Sequence, residues 1–176
     1  MVKTPGAPLG LAIAGLGMAG AVMVRAAAVH PGVKLVAAAD PHDAPRDAFA
    51  RDFNARAYAD IAELCTDSAV DVVYIATPHQ FHAAHAALAA GAGKHIILEK
   101  PMALTLADCD AIIAAVEGAK VHLVVGHTHA FDPAVREMRR IVASGELGRL
   151  GMIAAWNYTN FLYRRAVSSS SGRRGR

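Results

Sequence analysis

The chain has 176 residues, of which 54% are apolar and 19% are charged, a composition typical of a folded domain and not of a disordered chain. Its formal net charge is +3, but residues 1–163 hold 13 basic and 15 acidic residues, so the excess of positive charge belongs to the C-terminal tail. This distribution argues against nucleic-acid binding by the folded part. No apolar run approaches the roughly 18–20 residues that cross a bilayer, which argues against membrane insertion.

The two cysteines, Cys65 and Cys109, have neither the spacing of metal ligands nor that of a disulfide framework. Disulfides are rare in reducing compartments, and a chain without them is typical of such a compartment. The sequence therefore predicts a cytoplasmic protein.

Apolar runs and helical segments alternate along residues 1–127. The predicted strands are Leu9–Ala14, Lys34–Ala39, Asp71–Ala76, His95–Leu98 and Val121–Val125. The predicted helices between them are Met18–Val29, Asp43–Phe53, Ile61–Cys65, Gln80–Ala90 and Leu106–Val116. Strands that alternate with crossover helices, and that are apolar almost throughout, indicate an α/β fold with a doubly wound parallel sheet buried on both faces.

A different pattern begins near residue 128. Asp132-Pro133 opens a predicted helix that ends at Ser144-Gly145, and Leu150–Tyr163 is a β-like stretch in which aromatic and polar residues intermix. The Ser, Gly and Arg residues at the C-terminus have no apolar pattern and predict a disordered basic tail. The predicted organisation is a first domain over residues 1–127, the start of a second domain over 128–163, and a tail over 164–176.

The most specific local motif is a Gly-x-Gly-x-x-Gly that follows the first predicted strand and opens the first helix. Its six residues are Gly15, Leu16, Gly17, Met18, Ala19 and Gly20. In this context the first glycine allows a tight turn, the second lets the backbone approach a pyrophosphate, and the third lets the helix pack closely on the strand. The free N–H groups of the helix N-terminus then favour an anion. The motif predicts dinucleotide binding.

Asp40 ends the second predicted strand, 20 residues after Gly20. A carboxylate at that point can accept hydrogen bonds from ribose hydroxyls and would repel a 2′-phosphate, which favours NAD over NADP. Arg46 lies close enough in sequence to leave NADP possible.

The third and fourth predicted strands end in residues that suit a cofactor site. Thr77-Pro78 follows the third strand, and Glu99-Lys100-Pro101 follows the fourth. We interpret Lys100 as the catalytic residue, because a lysine beside a cationic nicotinamide loses its proton more easily and can then accept the proton of a substrate hydroxyl. Glu99 would orient Lys100 or hold the cofactor ribose.

Several histidines suggest further roles. His82 and His85 are spaced to share a helix face, but they lack a third ligand and a zinc-helix signature, so no metal is predicted. His127 and His129 follow the last predicted strand of the sheet with a period of two. They are either substrate contacts in the crevice or strand-end residues on the surface.

These motifs occur together, in order and spacing, in one known family. The segments 14–20, 39–41, 76–82 and 93–101 resemble those of the glucose–fructose oxidoreductase, inositol dehydrogenase and MocA (Gfo/Idh/MocA) family. The resemblance implies an NAD(P)-dependent oxidoreductase with a Rossmann domain, which transfers a hydride between the nicotinamide and a hydroxylated small molecule such as a sugar, polyol or cyclic cis-diol. It implies that Lys100 lies near the nicotinamide with Pro101 often cis, and that Thr77, His82 and Glu99 line the cofactor site.

A narrower likeness concerns residues 126–133 and 156–164, which are similar to those of bacterial dehydrogenases that oxidise phthalate cis-dihydrodiols with NAD. Family members run to roughly 330–400 residues, and a second catalytic element, a histidine in an Asp-x-x-x-His arrangement, lies beyond the last strand seen in this chain. We therefore expect a truncated or frame-shifted product with only the first strand of the family's C-terminal α/β domain.

Truncation has two expected consequences. The alternative to an active dehydrogenase is a catalytically inactive fragment that still binds the dinucleotide. An unpaired strand edge over Leu150–Tyr163 would also make the fragment prone to aggregation, whereas the full-length family is expected to form homo-oligomers.

Overall fold

The computed structural model describes residues 6–156. The six strands are β1 (Leu9–Ala14), β2 (Val33–Ala39), β3 (Arg56–Tyr58), β4 (Val72–Ile75), β5 (His95–Leu98) and β6 (Leu123–Val125). The six helices are α1 (Met18–Ala28), α2 (Asp43–Phe53), α3 (Ile61–Thr66), α4 (His82–Gly91), α5 (Leu106–Ala119) and α6 (Pro133–Ser144).

The strands form one parallel sheet in the order β3-β2-β1-β4-β5-β6. This is the doubly wound order of a dinucleotide-binding fold, in which the chain leaves β1 toward one edge and returns to its other side with β4. The predicted α/β fold with a doubly wound parallel sheet is confirmed.

The sheet is buried because helices cover both of its faces. One apolar cluster includes Ala12, Leu64, Val73, Leu98 and Ile112, and the other includes Ile13, Leu35, Phe49 and Tyr74. Neighbouring residues of a strand point to opposite faces, so Ala12 and Ile13 of β1 serve different clusters. This explains why the strands are apolar almost throughout.

Side-chain caps fix the beginnings of three helices. Asp60, Thr105 and Asp132 accept hydrogen bonds from the backbone N–H groups of Glu63, Asp108 and Ala134, respectively. Each bond satisfies one of the N–H groups that the first turn of a helix leaves without an intrahelical partner.

Three features differ from the sequence-based expectations. The strand β3 was not predicted, because three residues carry too little pattern; it forms because its backbone pairs with β2. The helix expected from Gln80 is a 3₁₀ turn over His79–Phe81 followed by α4. The strand expected over Val121–Val125 begins only at Leu123.

The segment after α6 also differs. Residues 150–156 form no strand, so the expected strand over Leu150–Tyr163 is wrong for that part, and its remainder lies outside the described residues. The predicted tail over 164–176 lies outside them too. Contacts divide the chain after Ala130, close to the predicted boundary at residue 127. Within residues 6–156, no helix is long and apolar enough to cross a membrane.

Candidate functional site

The carboxyl ends of β1, β2 and β4 surround a cavity of about 640 Å³. Such a crevice forms where the chain switches from one side of β1 to the other, since the loops after β1 and β4 then run in opposite directions. The cavity is lined by residues that follow these strands and β3: Gly15, Gly17, Asp40, Pro41, His42, Asp60, Ile61, Thr77, Pro78, Phe81 and His85, with Ala14, Ala39, Ala59 and Ala76.

The glycine loop after β1 requires a glycine at two positions and leaves space at a third. Gly15 has φ +90°, and a Cβ there would lie 2.7 Å from the carbonyl oxygen of Ala76. A Cβ on Gly20 would lie 1.9 Å from the carbonyl oxygen of Gly15, whereas one on Gly17 would meet nothing within 4 Å. The open side of Gly17 is what the approach of a phosphate requires.

The N-terminus of α1 continues this loop. Gly17 is its N-cap and supplies no side-chain cap, so the first N–H groups of the helix keep their capacity to bind an anion. Leu16 and Ala19 are half-buried and Met18 is exposed, so these three side chains lie at the surface of the loop.

Asp40 is buried at the end of β2 and accepts three hydrogen bonds. Its Oδ2 atom accepts from the backbone N–H of Leu16 at 2.8 Å, and its Oδ1 atom lies 3.0 Å from the backbone N and 2.9 Å from the ring Nδ1 of His42. Burial opposes ionisation, but these bonds outweigh it and hold the pKa of Asp40 below its ordinary value. The carboxylate thus ties the glycine loop to the β2 turn.

Arg46 is the residue that left NADP binding possible in the sequence analysis, and its guanidinium already has hydrogen-bond partners. Its guanidinium donates to the backbone carbonyl of Asp40 at 2.8 Å and to the Asp43 carboxylate, and its side chain is 19% exposed. A guanidinium held in this way is less available to a 2′-phosphate than a free one.

The turn after β4 forms the opposite wall of the cavity. The Thr77 hydroxyl lies 2.9 Å from Nδ1 of His85, and the His85 ring stacks on Phe81 with 5.6 Å between centroids. Burial, and then the charge of His82, lower the pKa of His85. This wall therefore offers an aromatic surface, a neutral imidazole and the Thr77–Pro78 backbone.

Lys100 lies at the end of β5 and is exposed. Glu99 accepts a hydrogen bond from the Tyr74 hydroxyl at 2.5 Å through Oε1 and from the backbone N–H of Lys100 at 3.1 Å through Oε2. Burial first, and then the bond to the Glu99 carboxylate, raise the pKa of Tyr74, so its hydroxyl stays a donor. The Lys100–Pro101 peptide bond is cis.

The structure places the predicted site residues in three groups. Gly15, Gly17, Asp40, Thr77 and Pro78 share the cavity wall, while Glu99, Lys100 and Pro101 lie at the neighbouring strand end. His82 is fully buried and is absent from the cavity lining; its ring contacts two backbone carbonyls instead.

His127 and His129 follow β6 at the same edge of the sheet, and both are exposed. The period-two reasoning was wrong, because a 3₁₀ turn over Thr128–Phe131 replaces the extended backbone that it assumed.

Sequence reasoning missed His42, Phe81 and His85 as cavity residues. The only available signal was proximity to Asp40 and to Thr77-Pro78. Within residues 6–156, no group of three His, Cys, Asp or Glu side chains is arranged to hold a metal ion.

Comparisons with known proteins agree with this geometry. Residues 9–127 match the family described as "Oxidoreductase family, NAD-binding Rossmann fold". The chain belongs to this family, Gfo/Idh/MocA, and its first domain is the family's NAD-binding Rossmann domain.

Relatives with named activities are similar over most of this chain. The chain is 44% identical over 155 residues to 1-carboxy-3-chloro-3,4-dihydroxycyclo hexa-1,5-diene dehydrogenase of Comamonas testosteroni, a match that covers 88% of this chain and 39% of the relative. It is 33% identical to inositol 2-dehydrogenase of Salmonella typhimurium, covering 83% and 45% of the two chains. The chain thus spans less than half the length of these relatives.

Solved structures show the same fold. A crystal structure from Bordetella bronchiseptica RB50 is 45% identical, with a TM-score of 0.82, and covers 89% of this chain and 42% of that one. A scyllo-inositol dehydrogenase of Lactobacillus casei, solved with NAD(H) and scyllo-inositol, is 24% identical with a TM-score of 0.75, covering 80% and 42%. At that identity the likeness concerns the fold alone.

Proposed function

We propose that this chain binds NAD in the β1–β4 cavity as the cofactor domain of a dehydrogenase. One observation carries the proposal: the glycine loop, the Asp40 carboxylate and the Thr77–Pro78 turn all line the same cavity. The open side of Gly17 and the uncapped start of α1 suit a pyrophosphate, and Asp40 suits the adenine ribose. We infer a preference for NAD over NADP from the Asp40 charge, because Arg46 is engaged elsewhere.

Lys100 is the proposed catalytic residue. The bound nicotinamide supplies the acceptor for a hydride that leaves a carbinol carbon of the substrate. The Lys100 amine accepts the hydroxyl proton as the carbinol becomes a carbonyl, so the substrate loses one hydride and one proton. The Tyr74 hydroxyl donates to Glu99, and Glu99 accepts from the backbone N–H of Lys100, which ties the backbone of the Lys100 turn to β4.

The proposed substrates are hydroxylated small molecules. The named relatives act on a dihydroxylated ring or on inositol, which favours a cyclic diol or polyol. His127 and His129 lie exposed at the same sheet edge as Lys100, where their rings could bind hydroxyl groups. They are proposed as substrate contacts on that placement.

A second candidate function is NAD binding without turnover. It is favoured by the contrast within residues 6–156 between the formed β1–β4 cavity and the exposed side chain of Lys100. We also infer a cytoplasmic location from the free cysteines Cys65 and Cys109, of which Cys65 is buried. Self-association of this chain, and homo-oligomers of full-length relatives, stay predictions that ultracentrifugation can check.

The test separates the two candidates in one preparation. Isothermal titration of the full chain with NAD and with NADP is expected to show tighter binding of NAD, and NADH absorbance is then followed with a panel of cyclic diols and polyols. NADH formation that is lost in Lys100→Met supports the dehydrogenase, whereas NAD binding with no NADH formation supports the second candidate. Absence of binding to either dinucleotide would contradict both.

A further inference from the structure

His82 lies between the two turns that the proposed function uses. It is fully buried at the start of α4. Its Nε2 atom lies 3.0 Å from the carbonyl oxygen of Thr77, and its Nδ1 atom lies 2.9 Å from the carbonyl oxygen of Pro101. One side chain therefore spans from the cavity wall after β4 to the turn that carries Lys100.

Both partners of the ring are backbone carbonyls, which can only accept hydrogen bonds. A neutral imidazole has one N–H donor, whereas an imidazolium has two. Both distances lie in the range of hydrogen bonds, and the tautomer of the ring decides which nitrogen donates. Other imidazoles near the ring belong to His79, at 5.4 Å between centroids, and to His85, whose pKa is affected by the charge of His82.

The Thr77 end of this link touches the cavity directly. Thr77 and Pro78 line the cavity, and the Thr77 hydroxyl lies 2.9 Å from His85, which lines it too. A ligand that fills the cavity therefore contacts Thr77, the residue whose carbonyl oxygen contacts His82. Because the ring is packed in the core with no exposed surface, a shift of the Thr77 carbonyl is passed on to the ring.

The Pro101 end reaches the proposed catalytic residue. Pro101 is joined to Lys100 by their shared peptide bond, and within residues 6–156 the Lys100 side chain makes no hydrogen bond or ion pair that would hold it independently. The position of the Pro101 carbonyl thus helps to set where the Lys100 backbone lies.

We propose that His82 is a positioning residue that transmits occupancy of the β1–β4 cavity to the Lys100–Pro101 turn through the contacts of its buried ring with the Thr77 and Pro101 carbonyls. Filling the adenosine and pyrophosphate side of the site then orders the turn that carries the amine before a nicotinamide or a substrate touches it. The inference rests on the proposed cofactor function, because it takes the cavity to be the place where the dinucleotide binds.

The experiment uses ADP-ribose, which has the adenine, ribose and diphosphate of NAD but lacks the nicotinamide ring. The full chain is titrated with it, and the backbone amide resonances of Gly17 and Lys100 are followed by NMR. We expect both amides to shift with the same saturation curve in the wild-type chain.

Two variants remove one of the ring's two contacts each. The amide of His82→Asn can reach toward the Pro101 carbonyl, and that of His82→Gln toward the Thr77 carbonyl, so each keeps one donor and loses the other. In both we expect the Gly17 shift to persist and the Lys100 shift to be lost. The matched control is His79→Asn, a neighbouring exposed histidine with a ring contact to His82, which should keep both shifts.

The outcomes are distinguishable. A Gly17 shift without a Lys100 shift in the wild-type chain overturns the link and leaves the proposed function standing. A Lys100 shift that persists in both His82 variants overturns the role of His82 and also leaves the proposed function standing. If ADP-ribose fails to bind at all, the proposed cofactor site is wrong and the inference falls with it.

Discussion

The two ends of the crevice differ in how completely the described residues build them. At the β1–β2 end, Asp40 is 8% exposed and is held by Leu16 and His42 beside a formed cavity. At the β5–β6 end, Lys100, His127 and His129 are exposed. The cofactor end is therefore preorganised by backbone and carboxylate contacts, whereas the proposed reacting groups are exposed side chains at strand ends.

This difference predicts which substitutions should affect folding and dinucleotide affinity and which should affect turnover. Changes at the cofactor end should affect both folding and dinucleotide affinity, because the same atoms hold the loops and line the cavity. Changes of the exposed side chains at the reacting end should affect turnover with little effect on folding.

The largest expected effect is at Gly20. In Gly20→Ala the added Cβ would lie 1.9 Å from the Gly15 carbonyl oxygen, so α1 must move away from the glycine loop. We expect a loss of about 3 kcal/mol or more in the free energy of unfolding, at the upper end of overpacking effects, together with loss of NAD binding. Urea unfolding and calorimetric titration measure the two quantities.

The matched control for Gly20 is Gly17→Ala. A Cβ at Gly17 meets nothing within 4 Å, so folding should be unaffected while NAD affinity falls, because the methyl group occupies the side from which the phosphate approaches. Equal destabilisation by the two substitutions would contradict the role assigned to each glycine.

The next effect in size concerns Asp40. Asp40→Ala leaves the Leu16 N–H without its acceptor and removes the proposed ribose contact. We expect NAD affinity to fall by roughly 10- to 100-fold, the effect of losing hydrogen bonds to a charged group. Asp40→Asn keeps one acceptor oxygen and should lose less. The ratio of NAD to NADP affinity is the decisive measurement, and an unchanged ratio in Asp40→Ala would show that Asp40 does not set the preference.

A smaller effect is expected from Tyr74→Phe. The hydroxyl donates to Glu99 at 2.5 Å, and its removal leaves a carboxylate oxygen without that donor. We expect the free energy of unfolding to fall by about 1.5 kcal/mol, and NAD affinity to change less than in Asp40→Ala. A loss of NAD affinity equal to that of Asp40→Ala would contradict the view that the β1–β2 and β5–β6 ends of the crevice act separately.

The smallest effect is a pH dependence that arises from His85. Burial lowers its pKa in the folded protein, so as the pH falls below about 6.5 the unfolded chain takes up a proton before the folded one does. Stability from this group is therefore complete above that pH and declines below it, until the folded ring is protonated. Urea unfolding from pH 8 to pH 5 should show a shallower decline in His85→Gln than in the wild-type chain.

The exposed His129→Gln serves as the control for this pH dependence, since its ring lies outside the cavity and is not buried. It should decline as the wild-type chain does. An identical decline in all three proteins would show that His85 does not contribute.

The sequence by itself determined the elements with strong local patterns. The glycine motif, most strands of the sheet and the helix start at Asp132 are short-range signals, and the structure contains them where they were expected. The strand predicted over Val121–Val125 is the exception in the sheet, because it begins at Leu123. The strand β3 escaped prediction because its stability comes from pairing with β2, a partner some 20 residues away in sequence.

Only the tertiary structure decided what the histidines do. The spacing of His82 and His85 suggested a shared helix face, but the fold buries one between two carbonyls and places the other on the cavity wall. Likewise, a 3₁₀ turn over Thr128–Phe131 replaces the extended backbone that would have placed His127 and His129 on one side of a strand. The physical reason is that these roles depend on contacts with residues distant in sequence, such as Thr77 and Pro101 for the ring of His82, and such contacts leave no periodic trace in the chain.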